Sequence, residues 1–574
     1  MADLVAEQTT TAPAGHLTAG RRQRFANKLL LVLVLLAWSW WCHHWPYLRT
    51  ANEAMRLLFV QAVAETGRPE LEDVAARYGH VPVDRSSYNG HVYMDKAPGA
   101  SLLALPIYLI LRPIMPSIAR DDQWKFGYVA TLWTMAVPLL VALALLQRAL
   151  LRHGLGRAAV GWTIAALATA SPLLVYASLF FGHALAAAGV LGAFALVAAS
   201  DPLTGMRRRS AWAAGLMLGW AGLSDTPVFV LAGLVAVFSA VRAAAWNAMP
   251  AKWRDLQVGE RLARTWPVWA GLGAGAVAQL GYNWWVLDHP LRFTYQFKAD
   301  AHLAAIMQTG WLGFRLPQAE ALVGLLLSAK RGLLYHAPWL AAAVAGLAWV
   351  ARSTHWSQAL RLDAAGALGM AGLYTLFVSG FADWPAGDSP CARHLLPVVG
   401  LCGWGLAPLL HERRLPGALR ATVAAGCLAG VVMHLPIAAT FPYHFDKLDR
   451  PVLDMGVPLL LRDGFCQSIG GWLGASNYWS LLIFAAVVLA IWILALWPGD
   501  LPQLVQGRRR RWGIAAVAVV VWATGMAASV PEPPGRIAEI ARYKGWSMLK
   551  SGANGKPPGV HGRLGPRPPG PKEL

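Results

Sequence analysis

The chain contains little charge and few acidic residues. Only 14% of its 574 residues are Asp, Glu, Lys or Arg, and Lys and Arg outnumber Asp and Glu by 50 to 30. The five cysteines are scattered without a Cys-x-x-Cys pair, which excludes the usual zinc and redox motifs. Cys391 and Cys466 both fall in loops predicted to lie outside, so they are the candidate pair for a disulfide. The sequence also lacks the HExxH, Walker and strand-to-helix GxGxxG motifs. We therefore expect no soluble nucleotide-binding domain.

Apolar residues are abundant. They make up 56% of the chain, the mean hydropathy is +0.42, and apolar runs of about 20 residues alternate with short basic loops. This pattern predicts an all-α polytopic membrane protein. The net charge of +20 resides in loops beside apolar helices, where it orients the chain in a bilayer, so no nucleic-acid partner is expected.

The basic loops predict about 13 crossings with the N-terminus inside and the C-terminus outside. Segment 99–111 is short and contains Pro106, so we expect it to dip into the membrane without crossing. The first outside loop, 48–97, is large. Its apolar residues between Asn52 and Glu65 recur at helical spacing, which predicts an amphipathic juxtamembrane helix lying on the membrane surface.

The same composition divides the chain into regions. Residues 1–25 are polar and predicted to form a disordered cytoplasmic N-terminus. Residues 26–410 form the main transmembrane module, and residues 411–530 form the C-terminal membrane helices with an outside loop at 439–477. Residues 531–574 are rich in Pro, Gly and basic residues and are predicted to be a flexible tail.

The predicted topology gathers polar residues at helix ends on one membrane face, where ionisable groups are costly unless they are paired or functional. These residues are Asn52, Glu53, Asp95, Lys96, His183, Asp225, Asp388 and Arg393.

Five of these residues have an ordinary structural explanation beside a functional one. Glu53 is a candidate general base for an attacking hydroxyl, or a helix-terminal charge facing water. Lys96 is a candidate phosphate ligand or a snorkelling lysine, and Arg393 is a second cation or an interfacial anchor. His183 is a catalytic candidate or a hydrogen-bonded structural histidine, and Asp225 could simply cap a helix.

Several short motifs resemble the GT-C superfamily of integral-membrane glycosyltransferases, most of all its protein mannosyltransferase and aminoarabinose transferase branch. Asn52-Glu53 matches the acidic motif of the first external loop, and YMDKAP (93–98) matches the element that opens the next helix. His183 in LFFGHALAAAG stands at the place of a second acid. GWAGLSDTPVFVLAGL resembles the small-residue hairpin, and CARHLLPVVG resembles an Arg-aromatic-Leu-Leu-Pro element with His394 at the aromatic position.

The resemblance implies transfer of a sugar from a polyprenyl-phosphate donor to a hydroxyl of a lipid, glycan or protein. The active site would lie on the extracytoplasmic face of a bacterial inner membrane, within a catalytic module spanning 26–410. Glu53 would be the catalytic acid or base, His183 would complete the site, and Lys96 with Arg393 would bind the departing lipid phosphate. Such charges stabilise the charge that develops as a glycosyl–phosphate bond breaks.

The sequence departs from the family pattern at two positions that bear on whether a divalent metal is bound. Asn52 replaces an acid, and His183 stands where a second acid is usual, so the carboxylates that a hard divalent cation prefers are missing. No metal is therefore assigned, although the resemblance allows one. The alternatives are a transporter or lipid flippase with His183 and Asp225 as a proton relay, and a non-catalytic scaffold.

Overall fold

A computed structural model describes residues 14–496 except 46–47, 49, 79–81, 83, 121, 201–204, 245–262, 413–414, 445–447 and 462–463. Residues 497–530 of the predicted C-terminal membrane helices and the predicted tail at 531–574 lie outside the described residues. Helix α1 begins at Ala14. Part of the segment predicted to be disordered up to residue 25 is therefore helical, in keeping with its Ala, Arg and Leu residues, which are good helix formers.

The described chain is mostly helical, with two small antiparallel strand pairs. The helices are α1 (Ala14–Ser39), α2 (Ala51–Thr66), α3 (Glu72–Tyr78), α4 (Gly99–Ile114), α5 (Gln123–Thr131), α6 (Val137–Arg152), α7 (Arg157–Thr169), α8 (Leu173–Tyr176), α9 (Gly182–Ala198), α10 (Arg208–Ser224), α11 (Val228–Ala244), α12 (Trp266–Leu287), α13 (Ala301–Gln308), α14 (Ala319–Leu327), α15 (Leu333–His336), α16 (Trp339–Arg352), α17 (Gln358–Ser379), α18 (Leu396–Gly403), α19 (Leu406–His411), α20 (Gly417–Ala439), α21 (Val457–Leu461), α22 (Ile469–Trp472) and α23 (Asn477–Leu496). The strands are β1 (Trp41–Cys42), β2 (Arg85–Tyr88), β3 (His91–Met94) and β4 (Gln467–Ser468).

Among the described residues, five helical segments are long and apolar enough to cross a membrane: Gln123–Arg152, Gln358–Ser379, Arg393–His411, Gly417–Ala439 and Asn477–Leu496. The predicted all-helical membrane class is confirmed, but the predicted number of about 13 spans is not. Helix α4, which covers the segment expected to dip into the membrane, has 16 residues. At 1.5 Å per residue it is about 24 Å long, less than the thickness of a bilayer core.

Helix α9 lies at the centre of the bundle. Its sequence, GHALAAAGVLGAFALVA, is buried along almost its whole length, and it packs against α6, α10 and α18. Its many Gly and Ala residues allow the neighbouring helices to approach closely. His183 is the second residue of this helix, so its imidazole lies at the end of the core helix and not in its middle.

Helices α10 and α12 are joined through two Gly-x-x-x-Gly motifs. Gly215 and Gly219 of α10 lie against Gly271 and Gly275 of α12, and a Cβ on Gly219 would come within 2.5 Å of the Gly271 carbonyl oxygen. Only glycine permits this backbone contact. It fixes α10, whose last residue, Ser224, immediately precedes Asp225.

The predicted amphipathic helix exists as α2, but it does not lie on the surface. Every residue from Asn52 to Ala62 is buried, because α3, the β2–β3 hairpin and α4 pack around it. Strands β1 and β4 pair Trp41 with Ser468 and join the end of α1 to the loop before α23. Cys391 and Cys466 are both buried and are not joined to each other, so the disulfide that the sequence allowed is not formed.

Candidate active site

Three chain segments meet where two glycines approach the end of α10. A Cβ on Gly99 would lie 2.6 Å from the Ser224 Oγ, and a Cβ on Gly182 would collide with the Ser224 carbonyl group. Both positions therefore require glycine. The contact brings together the starts of α4 and α9 and the turn between α10 and α11, so Lys96, His183 and Asp225 share one region.

His183 and Asp225 form a buried pair, 7% and 6% exposed. Nδ1 of His183 lies 2.6 Å from Oδ2 of Asp225. His394 completes the cluster: its ring centroid is 5.1 Å from that of His183, and the two rings are nearly perpendicular. One potential ligand atom from each residue lies within 4.8 Å of the others. We call these residues the His-Asp-His cluster.

The cluster is electrostatically supported from several sides. Burial acts to raise the pKa of Asp225, but His183, His394 and Arg56 outweigh it and lower that pKa to about 2. Asp225 is therefore a carboxylate at neutral pH. A carboxylate fixed to one imidazole nitrogen orients the ring and leaves the other nitrogen for chemistry.

Two guanidinium groups border the cluster. Arg56 is buried, and it donates from Nε to Asn52 Oδ1 at 3.1 Å and from Nη1 to the Ala97 carbonyl oxygen at 2.9 Å. Arg393 stacks over Phe181, with 5.7 Å between its Cζ and the ring centroid. Both guanidinium groups act electrostatically on His183. Asn52 therefore holds Arg56 in place, one helical turn away.

Lys96 belongs to a network of alternating charges. Its Nζ lies 3.1 Å from Asp84 and 3.3 Å from Asp95, and Asp95 also receives Lys298 Nζ at 2.5 Å. Burial acts to raise the pKa of Asp95, but the two ammonium groups outweigh it and hold that pKa below its usual value. With Lys298, Arg56 and Arg393, Lys96 gives this end of the bundle four cations.

Glu53 is fully buried and has several partners. Oε1 accepts from the Phe180 backbone N–H at 2.8 Å and lies 3.3 Å from His44 Nε2. Oε2 accepts from Tyr443 Oη at 2.5 Å and from Thr50 Oγ1 at 3.3 Å. Burial acts to raise the pKa of Glu53, but His44 and the hydrogen bonds lower it.

His44 is the charge partner of Glu53. Burial acts to lower the pKa of His44, and the Glu53 carboxylate raises it to about 9. The two side chains therefore form a buried ion pair at neutral pH. Through Phe180, this pair fixes the backbone three residues before His183, while the carboxylate itself is surrounded by protein groups.

The loop that leads to Arg393 is held by Arg331. This guanidinium is fully buried and donates to the carbonyl oxygens of Pro385, Gly387 and Ser389, with 2.5 Å from Nε to Pro385. Asp388 lies within this loop and is half-buried. The Tyr176 hydroxyl adds a further bond to the Pro390 carbonyl oxygen at 2.7 Å.

The sequence predicts His183, Asp225, Lys96 and Arg393 as site residues, and the structure places them in one region. The sequence makes no prediction for Arg56, Lys298, Arg331 or His44, which contact this region or its supports. The separation of Asn52 and Arg56 by four residues on a predicted helix was a usable signal, because such residues share a helix face. Lys298 and Arg331 contact residues far away in the chain. Their sequence context carries no such signal.

No family model and no curated protein matches the chain. Among solved structures it is similar to ArnT from Cupriavidus metallidurans bound to undecaprenyl phosphate, with 17% identity, a TM-score of 0.39, and coverage of 90% of this chain and 79% of that one. The apo ArnT structure gives 15% identity, a TM-score of 0.41 and coverage of 88% and 78%. The archaeal oligosaccharyltransferase AglB from Archaeoglobus fulgidus, in complex with an inhibitory peptide and a dolichol-phosphate, gives 12% identity and a TM-score of 0.39, with coverage of 89% of this chain and 61% of that one.

Both enzymes are GT-C glycosyltransferases, the superfamily that the sequence motifs resemble. At these identities and TM-scores, the likeness carries no weight of its own.

Proposed function

We propose that the chain is a membrane glycosyltransferase that moves a sugar from a polyprenyl-phosphate carrier to a hydroxyl acceptor on the extracytoplasmic face. The observation that carries this proposal is the meeting of a buried His–Asp pair with four cations at one end of the helix bundle. Transfer from a phosphate carrier needs both elements, a proton acceptor for the hydroxyl and cations for the departing phosphate.

The donor phosphate is assigned to Lys96 and Arg393, with Arg56 as a further cation. Arginine matches phosphate oxygens with a planar fork of donors, whereas lysine acts as a point charge. The Nε of Arg393 makes no hydrogen bond to the described part of the chain and can therefore serve a ligand. The undecaprenyl phosphate and dolichol-phosphate in the ArnT and AglB structures are ligands of the expected chemical class.

Acceptor activation is assigned to His183, oriented by Asp225. In the transfer step the acceptor oxygen bonds to the anomeric carbon, the bond from that carbon to the phosphate oxygen breaks, and the acceptor proton passes to the imidazole. The polyprenyl phosphate leaves as an anion beside the cations. Glu53 then has a positioning role, because its oxygens are already occupied by protein donors.

A transporter or lipid flippase remains the second candidate, because a buried His–Asp pair can also relay protons. The two functions differ in what they do to the donor. A flippase returns the polyprenyl-phosphate sugar unchanged, whereas a transferase separates the sugar from the phosphate.

The test is sugar transfer by the purified full-length protein in lipid nanodiscs, with labelled polyprenyl-phosphate sugars and a membrane extract as the acceptor source. We expect Lys96→Ala and Arg393→Ala to lower transfer roughly 10- to 100-fold, since each removes a charged phosphate contact. Lys125→Ala, which removes a half-exposed lysine paired with Asp122, is the matched control and should transfer normally. Full transfer by both site variants would overturn the phosphate assignment.

A further inference from the structure

We infer that His183, Asp225 and His394 form a binding site for a divalent transition-metal ion of the Zn²⁺ type. The starts of α9 and of the segment Arg393–His411 each supply an imidazole, and the turn after α10 supplies the carboxylate. No residue of the Asn52–Glu53 motif takes part. The site therefore differs from the acidic one that the sequence departures argued against.

The geometry is close to that of a metal site. The three ligand atoms lie within 4.8 Å of one another, whereas donors around a tetrahedral zinc ion are roughly 3.3 Å apart at zinc–nitrogen distances of about 2.0 Å. The 2.6 Å contact between His183 and Asp225 is shorter than this because a proton is shared there. Metal binding displaces that proton and needs only small side-chain movements.

The donor set selects the kind of metal. Two imidazole nitrogens and one carboxylate oxygen are typical of zinc sites that retain an open coordination position. Magnesium and calcium prefer sets composed of oxygen atoms. The loss of acids at Asn52 and His183 thus argues against a hard cation, while the histidines at 183 and 394 favour a softer one.

His394 provides a second observation. Its Nε2 is buried and makes no hydrogen bond to the described residues, and its ring contacts are with His183 and Phe381, whose centroid is 5.3 Å away. A buried polar atom without a partner is unfavourable by about 1–3 kcal/mol in general. A metal ion would satisfy this nitrogen without adding a protein group.

The neighbouring guanidinium groups of Arg56 and Arg393 oppose a bound dication, because they already act electrostatically on this cluster. An anion held between the guanidinium groups and the ion would offset that repulsion. If the proposed function is correct, the donor phosphate is such an anion. When bound, the ion would supply Lewis-acid stabilisation of charge at the reacting oxygens. His183 would then be a ligand, and the acceptor proton would pass to an oxygen of the departing phosphate instead of to the imidazole.

The experiment uses the full chain in nanodiscs, stripped with a chelator and then exposed to Zn²⁺ or Co²⁺. Bound metal is counted by mass spectrometry of the elements, and Co²⁺ is followed by its visible absorption. We expect a single ion per chain in the wild type, and affinity weaker by at least about 10-fold in His183→Gln, Asp225→Asn and His394→Ala. His355→Ala, which changes an exposed histidine, should bind like the wild type.

Folding is checked by measuring Tm without metal for every variant. Site variants that retain the metal-free Tm but lose the rise in Tm on adding Zn²⁺ support the site, because a ligand that binds only the folded state stabilises it. His394→Gln serves in place of His394→Ala if the latter does not fold. No ion bound by the wild type, or unchanged binding in all three site variants, would overturn the inference.

Inorganic phosphate separates this inference from the proposed function. We expect phosphate to tighten Co²⁺ binding in the wild type, and much less in Arg393→Ala, because coupling between two ligands is reciprocal. Sugar transfer that persists in fully stripped protein, together with the absence of metal binding, would overturn the metal site and leave the transferase intact. Metal binding without any sugar transfer would overturn the transferase proposal and leave the metal site intact.

Discussion

Phe180 donates its backbone N–H to Oε1 of Glu53 at 2.8 Å, across 127 residues of sequence. This bond links helix α2 to the segment that enters α9. The buried Glu53 carboxylate therefore holds the backbone three residues before His183 and is not itself exposed to a substrate. The predicted acidic motif and the predicted second-acid position are thus coupled through the backbone, and the consequences of this coupling are measurable.

Replacing Glu53 with Gln should reduce stability more than it reduces chemistry. The amide keeps an oxygen for Phe180 but removes the charge that faces His44, and breaking a buried pair costs about 3–5 kcal/mol. We expect a lower Tm together with transfer that falls less than in His183→Ala, in which about 100-fold or more is lost. Loss of transfer equal to that of His183→Ala, at unchanged Tm, would instead assign Glu53 to the chemistry.

The Glu53–His44 pair should make stability depend on pH. The pKa of His44 is raised from 6.5 to about 9, so its stabilising effect is complete below pH 6.5 and is lost as pH rises through about 9. The pKa of Glu53 is lowered, so its effect is lost as pH falls through that lowered value. Tm measured from pH 6 to pH 10 should fall in the wild type and much less in His44→Asn. An identical decline in both proteins would contradict the pair.

Replacing Asn52 with an acid should raise the KM for the polyprenyl-phosphate donor. In Asn52→Asp, a carboxylate would replace the amide that now accepts from Arg56, and it would neutralise one of the cations assigned to phosphate. We expect a KM for the polyprenyl-phosphate donor several-fold higher, with a smaller change in kcat. Asn89→Asp, in the turn between β2 and β3, is the control for an added acid in the same segment between α2 and α4. A lower donor KM in Asn52→Asp would indicate that an acid at this position takes part in the reaction, and that positioning of Arg56 is not its main role.

Arg331 should control the loop that leads to Arg393. Arg331→Lys keeps the positive charge but cannot bond the carbonyl oxygens of Pro385, Gly387 and Ser389 together. Loss of such charge-assisted bonds in a buried site costs roughly 3 kcal/mol, which should lower Tm and raise the donor KM. Arg352→Lys, at the exposed end of α16, is the matched control. Equal Tm values for the two variants would show that this loop is held by other contacts.

The sequence predicted where helices occur better than where they break. The apolar sequence from residue 158 to 179 predicts one continuous helix. It is interrupted before α8 because Pro172 cannot continue the hydrogen-bonding pattern of α7, and Pro338 likewise separates α15 from α16. The hairpin of α10 and α11 matches its prediction closely, since Ser224 to Pro227 combine a capping residue with a proline. Turns and helix ends of this kind are predictable from the sequence because neighbouring residues determine them.

The site was predictable only where a charge interrupts an apolar run. His183 and Asp225 stand out because their neighbours are small and apolar, and the structure brings them to 2.6 Å. Lys298 lies in a polar segment where another basic residue is ordinary, and its partner Asp95 comes from another part of the fold. Burial of Glu53 was equally hidden, because Tyr443 reaches it from 390 residues away.

The bond between the sugar and the polyprenyl phosphate is the one that the proposed site breaks. Phosphorus NMR of a polyprenyl-phosphate sugar, incubated with the nanodisc-bound protein and an acceptor extract, follows that bond directly. We expect conversion of the phosphodiester signal into a phosphomonoester signal with the wild type, and none above background with His183→Ala. A phosphodiester signal that stays unchanged with the folded wild type, across the donor sugars and acceptor extracts supplied, would contradict the proposed function.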